Sequence, residues 1–410
     1  MVDITINKNM MNNKIVLISK DALCKAYLPV YGNKYNKMPN LMELAKKGTV
    51  FNRYYTAAPS SAMSYMSMFT GKHAYETNRK DYSPIQSKHN EIPNMCDEFA
   101  SNGYECHILW DRRWYENAYM YSKCFGRDTK FHNLDIEQAV GCHNTKQPLL
   151  LPDEEKSRRC VQKIKEEIDS VVNSASQKIF IWIHLPHVLN GRTCYGADMD
   201  LFDEIIGYLR NVFGDNSIFI SSDHGNMNGS RNKICYGFDV YEPAIAIPLI
   251  TPRINDMTEC DIPISNTRIK ELLSGVIPED EFVYSDCAYY AQDSRKLAII
   301  HKNYKLIYNK AAKTEELYDL RFDPTEQCNI IKKIVVDVDR KINYALDQVY
   351  YYPYWDEAEK EYQILKSELN RIWVEGTWFE NFVVKFKKKK FVKKILVFIV
   401  GLYKKLRKHK

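Results

Sequence analysis

Hydrophobic positions along this chain alternate between two patterns. Short unbroken apolar runs rich in β-branched and aromatic residues occur at residues 14–19, 105–110, 178–185 and 217–222. A strand reads this way when both its faces are covered, as in a parallel sheet. Between the runs lie stretches of helical period. Met38–Lys47 sets Leu41, Leu44 and Ala45 on one face, with Pro39 near its start, and stops at Gly48. Residues 153–173 repeat Val161, Ile164, Ile168 and Val171, and residues 197–213 repeat Leu201, Ile205, Tyr208 and Leu209. Further strands are expected at Val50–Tyr55 and Ile245–Ile250. Residues 111–150 lack periodicity and are expected to form irregular loops. Residues 281–320 hold short runs between turns and predict a small antiparallel sheet. Residues 324–350 and 354–374 are expected to be helical.

Composition places the chain among globular proteins. Its 410 residues are 45% hydrophobic and 27% charged, enough for one large domain or two smaller ones. The 11 cysteines include no Cys-x-x-Cys pair, which predicts reduced thiols in a cytoplasmic setting. The first residues lack an apolar signal core, so no export signal is expected. The net charge of +6 is unevenly spread. Residues 385–410 hold 12 Lys/Arg and no acid, and taking those 12 from +6 leaves −6 for the rest. A mildly acidic body argues against nucleic acid as the main partner. Within the basic tail, Ile395–Tyr403 is nine residues long, too short to span a bilayer. Lysines on both sides suit an interfacial segment on an anionic membrane surface.

Candidate chemistry gathers at the ends of the apolar runs. Asp21 follows the first, His184 and His187 lie at the end of the run at 178–185, and Asp223 and His224 follow the run at 217–222. Ligands of open α/β sheets bind beyond the carboxyl ends of the strands. Asp223 and His224 side by side suit a divalent cation, with Asp21 and a serine oxygen completing four ligands. Ser60 and Ser61 stand where the helix bearing Met63, Met66 and Phe69 begins. A serine there is an N-cap, or, beside a metal, an activated nucleophile. Lys233 is either solvated or neutralises a bound anion.

In order, these segments resemble the sulfatase family of the alkaline phosphatase superfamily. The matching segments are Ile15–Asp21, Met38–Gly71, Phe180–His187, Ser217–Gly225, Lys233–Leu249 and Glu316–Pro324. The resemblance implies an α/β fold with a doubly wound, mostly parallel sheet flanked by helices. It also implies a smaller C-terminal α+β subdomain, followed here by a helical extension. The expected boundaries are 1–260 for the catalytic domain, 261–335 for the subdomain, 336–384 for the extension and 385–410 for the tail. Family sulfatases carry Cys or Ser, any residue, Pro, Ser, Arg, with the first residue oxidised to formylglycine. Here that register reads Ser61-Ala62-Met63-Ser64-Tyr65, without the Pro and Arg. Lys20-Asp21 offers one acid where sulfatases carry two. The family's Gly-Lys-Trp-His element is replaced by Trp110-Asp111-Arg112-Arg113, where Arg112 or Arg113 would replace the lost charge. The remaining set resembles the phosphoethanolamine and phosphoglycerol transferase branch, which uses an unmodified hydroxyl.

The resemblance therefore implies one divalent metal (Zn, Mn, Mg or Ca) on Asp21, Ser61, Asp223 and His224. Ser61 is the implied nucleophile, His187 with His184 the implied contact to the anion or the leaving oxygen, and Lys233 an added positive charge. The implied substrate is an anionic phosphate or sulfate ester, on a glycan or a lipid-linked precursor. With the basic tail, the expected location is peripheral, at the cytoplasmic face of a membrane. A true sulfatase and a non-catalytic binding module are the alternatives.

Overall fold

The computed structural model describes residues 12–77, 93–111, 125–126, 128–134, 154–186, 198–233, 235–287, 294–331, 342–345 and 348–373. The chain runs β1 (Lys14–Lys20), α1 (Pro39–Lys47), β2 (Thr49–Phe51), β3 (Tyr54–Tyr55), α2 (Ser61–Thr70), α3 (Ala74–Thr77) and α4 (Met95–Ser101). It continues through β4 (Glu105–Trp110), β5 (Lys130–Asn133), α5 (Glu154–Ser174), β6 (Ile179–Leu185), α6 (Met199–Phe213) and β7 (Ile218–Ser222). Then come α7 (Glu242–Ile245), β8 (Ala246–Ile247), β9 (Leu249–Thr251), β10 (Glu259–Cys260), β11 (Ile264–Ser265) and α8 (Ile269–Leu273). The C-terminal part holds β12 (Val283–Asp286), β13 (Lys296–His301), β14 (Tyr304–Asn309), β15 (Thr314–Asp319), β16 (Ile342–Ala345), β17 (Gln348–Tyr351) and α9 (Trp355–Ile372).

An eight-stranded sheet ordered β10-β2-β9-β7-β1-β6-β4-β5 forms the centre. Only β9 runs against its neighbours. Alternate residues of β1 explain the layering. Ile15 and Leu17 join one core with Met63, Met66 and Phe69 of α2 and Phe99 of α4. Val16 and Ile18 join the opposite core with Leu41 of α1, Ile164 and Ile168 of α5, and Ile205 and Leu209 of α6. Period-two alternation with apolar residues on both sides is what a strand covered on both faces requires. The fold is the mixed α/β architecture expected, and the antiparallel sheet β12-β13-β14-β15 is the small C-terminal sheet. The chain divides into compact units 1–362 and 363–410, with the division falling inside α9.

Several sequence expectations are corrected. Val50–Tyr55 is not one strand: β2 and β3 are separated by a turn and belong to different sheets. Ile245–Ile250 is likewise split between the end of α7, β8 and β9, because Pro248 has no N–H with which to continue a ladder. Residues 111–150 include β5, an edge strand pairing with β4. Residues 324–350 are not a continuous helix, since β16 and β17 form an antiparallel pair. Their Ile342, Tyr344, Val349 and Tyr350 are β-formers, and this preference prevails there over the apolar spacing that reads as helical.

Candidate active site at the carboxyl edge of the central sheet

Strand register brings the acidic residues together. Lys20 of β1 pairs with Ser222 of β7, so Asp21 and Asp223 leave adjacent parallel strands at the same level. Asp21 donates its backbone N–H to Leu185 O at 2.9 Å, tying the turn to β6 as well. Ala22 then adopts φ 56°, a left-handed conformation that costs a residue with a Cβ. That turn aims the Ala22 N–H at Asp223 Oδ1, 3.0 Å away. His224 N–H donates to the same oxygen at 2.8 Å. Gly225 is required by the close approach of α7: a Cβ there would overlap the Pro243 carbonyl oxygen.

The His224 ring is oriented by its own backbone neighbour. Nδ1 lies 2.8 Å from Gly225 O, which can only accept, so Nδ1 carries a proton and Nε2 is the nitrogen that faces Ser61 and the carboxylates. Nε2 lies 3.1 Å from Ser61 Oγ, 3.5 Å from Asp223 Oδ2 and 3.6 Å from Asp21 Oδ1. One ligand atom from each of Asp21, Asp223 and His224 falls within 4.8 Å of the others, and all three residues are buried. Asp223 Oδ2 accepts no hydrogen bond among the described residues. Burial pushes the Asp223 carboxyl up, but the facing His224 and His184 rings and the Ala22 N–H outweigh it, holding the group below the usual carboxylate range. Two carboxylates, an imidazole nitrogen and a hydroxyl fit a divalent cation, and the bare Asp223 oxygen is the atom such an ion would satisfy.

Helix α2 presents Ser61 from the opposite side. It is buried from Ser61 to Phe69, and Gly71 closes it in the left-handed conformation, φ 66°. A polar seam anchors it to the sheet. Ser64 Oγ donates to Asp223 O at 2.5 Å and accepts from Asn266 Nδ2 at 2.9 Å, while Asn266 Oδ1 accepts the Ala57 N–H at 2.9 Å. Tyr65 lies one turn after Ser61. Its hydroxyl is 2.5 Å from His184 Nε2, and its ring packs edge-on against Trp182 with centroids 5.0 Å apart. His184 Nδ1 is 2.8 Å from Ser19 Oγ, which accepts from Trp182 Nε1 at 2.9 Å. His184 is thus clasped through both ring nitrogens, so its geometry suits holding α2 against β6.

Lys233 Nζ is 2.7 Å from Asp239 Oδ2, and Asp239 also pairs with Lys296. Tyr236, three residues after Lys233, lays its ring on His224 with centroids 4.3 Å apart. Lys20 is buried and turned to Asp198 at 3.3 Å and Pro186 O at 3.0 Å. His187, Arg112, Arg113 and residues 385–410 lie outside the described residues. Sequence reading missed Tyr65 and Asn266 as supports. Tyr65 has a signal, its helical spacing from Ser61, whereas Asn266 has none before folding.

The sulfatase family model matches residues 13–188, from the start of β1 past β6. No curated protein matches the chain by sequence. Among solved structures, a candidate sulfatase from Bacteroides thetaiotaomicron aligns at TM-score 0.64 and 14% identity, covering 90% of this chain and 96% of that one. A 2-O GAG sulfatase aligns at TM-score 0.63 and 13% identity, covering 88% and 92%. The phosphonate monoester hydrolase of Agrobacterium radiobacter aligns at TM-score 0.60 and 14% identity, covering 88% and 96%. Residues 13–188 thus match the sulfatase family model, and the chain shares the fold of these solved structures.

Proposed function

We propose that this chain is a metal-dependent enzyme that cleaves or transfers a phosphate or sulfate ester group through Ser61. Phosphorus is the preferred centre. The observation that carries the reading is the meeting of the Ser61 hydroxyl with Asp21, Asp223 and His224 Nε2 at a helix start. Asp21, Asp223, His224 and Ser61 would hold the cation, which when bound lowers the pKa of a hydroxyl and offsets charge on the ester oxygens.

This chain's residues supply the rest. The start of α2 favours an anion through its free N–H groups. Ser61 Oγ, its proton released to solvent, attacks phosphorus, forming an O–P bond as the bond to the leaving oxygen breaks. The leaving oxygen takes a proton, for which His187 is the candidate donor. Water or an acceptor hydroxyl then attacks the same phosphorus, and Ser61 recovers its proton. Tyr65 and His184 hold the serine's helix in register.

The preference for phosphorus rests on chemistry. A formylglycine hydrate releases sulfate by collapse of its hemiacetal, and an unmodified serine has no second hydroxyl with which to do so. The absent Pro at Met63 and Arg at Tyr65 support an unmodified Ser61. A sulfatase reading draws on the 2-O GAG sulfatase among the structural relatives, and an anionic glycan or its lipid-linked precursor is the substrate class both readings share. The test is a screen of purified protein with Zn²⁺, Mn²⁺, Mg²⁺ and Ca²⁺ against aryl sulfate, phosphomonoester and phosphodiester probes, with mass spectrometry of the Ser61 peptide. A phosphorylated Ser61 peptide supports the proposal. Efficient sulfate release by protein with unmodified Ser61 overturns the phosphorus preference. No turnover of any probe with any metal, together with no bound metal, favours a binding module.

A further inference from the structure

Ser60 carries a hydroxyl that finds no partner among the described residues. It occupies the N-cap of the ten-residue α2 with extended backbone, φ −154° and ψ 139°, and its side chain makes no capping bond. The residue is 2% exposed, and its Oγ has no hydrogen-bond partner among the described residues. Both facts run against expectation. A serine at this position ordinarily accepts from an N–H of the first turn. A buried hydroxyl without a partner is a cost that alanine would avoid.

The hydroxyl belongs to the residue immediately before the candidate nucleophile, at the start of α2. The first N–H groups of a helix have no partner within it, and here the cap residue supplies none. The next residue, Ser61, is already engaged with His224 at 3.1 Å. In the neighbouring acidic cluster, Asp223 Oδ2 has no hydrogen bond among the described residues. An uncapped helix start next to a buried donor is a place for the oxygens of an anion, which need donors on the side away from the carboxylates.

We infer that Ser60 donates its Oγ–H to a non-bridging oxygen of the phosphate or sulfate group bound at the start of α2. The inference rests on the Ser61 reading above and deepens it by adding a ligand-contacting residue one position before the nucleophile. Its consequence is a trade between stability and binding. A hydroxyl kept for a ligand weakens the empty protein and strengthens the complex, whereas a structural hydroxyl strengthens both.

The experiment compares wild type, Ser60→Ala and Asp223→Asn. Thermal unfolding is measured without added anion. Inorganic phosphate and inorganic sulfate are then titrated calorimetrically, with the divalent cation the purified protein retains and again after chelation. The expected result is that Ser60→Ala unfolds at the wild-type temperature or a few degrees above it, while binding anion about tenfold or more weakly. Unchanged anion affinity in Ser60→Ala, with normal binding by wild type, overturns this inference alone. A lowered unfolding temperature, or failure of Ser60→Ala to fold, also overturns it, because the hydroxyl is then structural. Wild type that binds neither anion under any condition overturns the Ser61 site reading together with it. Asp223→Asn reports on that reading independently, through loss of retained cation.

Discussion

Asp223 is the residue on which the candidate site most depends. Its Oδ1 collects two backbone N–H groups, which fixes the carboxylate plane and leaves Oδ2 toward Asp21 and His224. Asp223→Ala should lose bound metal and turnover together, since a hard cation loses a charged ligand. Metal analysis alongside an ester screen checks this, and full metal content with full activity would reject the site. Ser61→Ala should abolish turnover while leaving an intact fold, as read by circular dichroism. At this scale much was visible before folding: Asp21, Asp223 and His224 each follow an apolar run, and strand-end position is a physical reason to select them. The roles of Ser60, Tyr65 and Asn266 were not visible. Each depends on a partner, or on the lack of one, more than a hundred residues away or across the sheet.

Among the elements, α2 and the turn after β7 set the precision of the site. The spacing of Met63, Met66 and Phe69 predicts one buried face, yet every residue from Ser61 to Phe69 is buried, because the loop and short helix around Asn266 cover the other side. Gly225 is the tightest point of the turn, against the Pro243 carbonyl. Gly225→Ala should destabilise by about 1–3 kcal/mol through overpacking and displace Asp223 and His224. Urea denaturation measures the first effect and cation affinity the second; unchanged values for both would show that the turn relaxes freely. Lys20 is fully buried against Asp198. Asp198→Ala should cost about 3–5 kcal/mol, because it removes the carboxylate paired with a buried charge. An unfolding free energy equal to wild type would show that Lys20 is satisfied without that carboxylate. Element types were legible wherever hydrophobic runs were long, as in β1, β6, α5 and α6. They failed at β2–β3, at β8–β9 and at β16–β17, where strands of two to four residues give too short a pattern to fix a period.

Across the whole molecule, a buried charge cluster links the turn bearing His224 to the small C-terminal sheet. Lys305 of β14 reaches Glu242 of α7 at 3.0 Å and Glu326 at 2.7 Å. Arg231 donates to the Glu326 carbonyl. Burial, with Glu242 adding to it against the opposing Lys305 charge, pushes the Glu326 carboxyl up to about 7. A folded pKa above the unfolded value of about 4.5 means that the folded state binds the extra proton. Stability from this group is therefore complete below about pH 4.5 and falls as pH rises toward about 7, by at most about 1.4 kcal/mol per pH unit. Glu326→Gln should flatten that slope in urea titrations across the window; an identical slope would place the proton elsewhere. No helix among the described residues is long and apolar enough to cross a membrane. The proposed membrane contact of residues 385–410 predicts salt-sensitive co-sedimentation with anionic vesicles, lost on deletion of the tail. Equal binding to neutral vesicles would remove its electrostatic basis.

By itself the sequence determined the α/β class and the strand ends that carry Asp21, Asp223 and His224. Hydrophobic period and residue type are local, and a strand buried on both faces announces itself in five or six residues. Only the tertiary structure decided which of these residues meet. Lys20 stands where family sulfatases hold a second acid, yet it turns away to Asp198. Lys233, expected at the anion, is held by Asp239. His184 is clasped between Tyr65 and Ser19, and Ser60 keeps a hydroxyl with no partner among the described residues. The direction of a side chain is settled by what packs around it, and those neighbours are brought in from distant parts of the chain by strand register and helix placement.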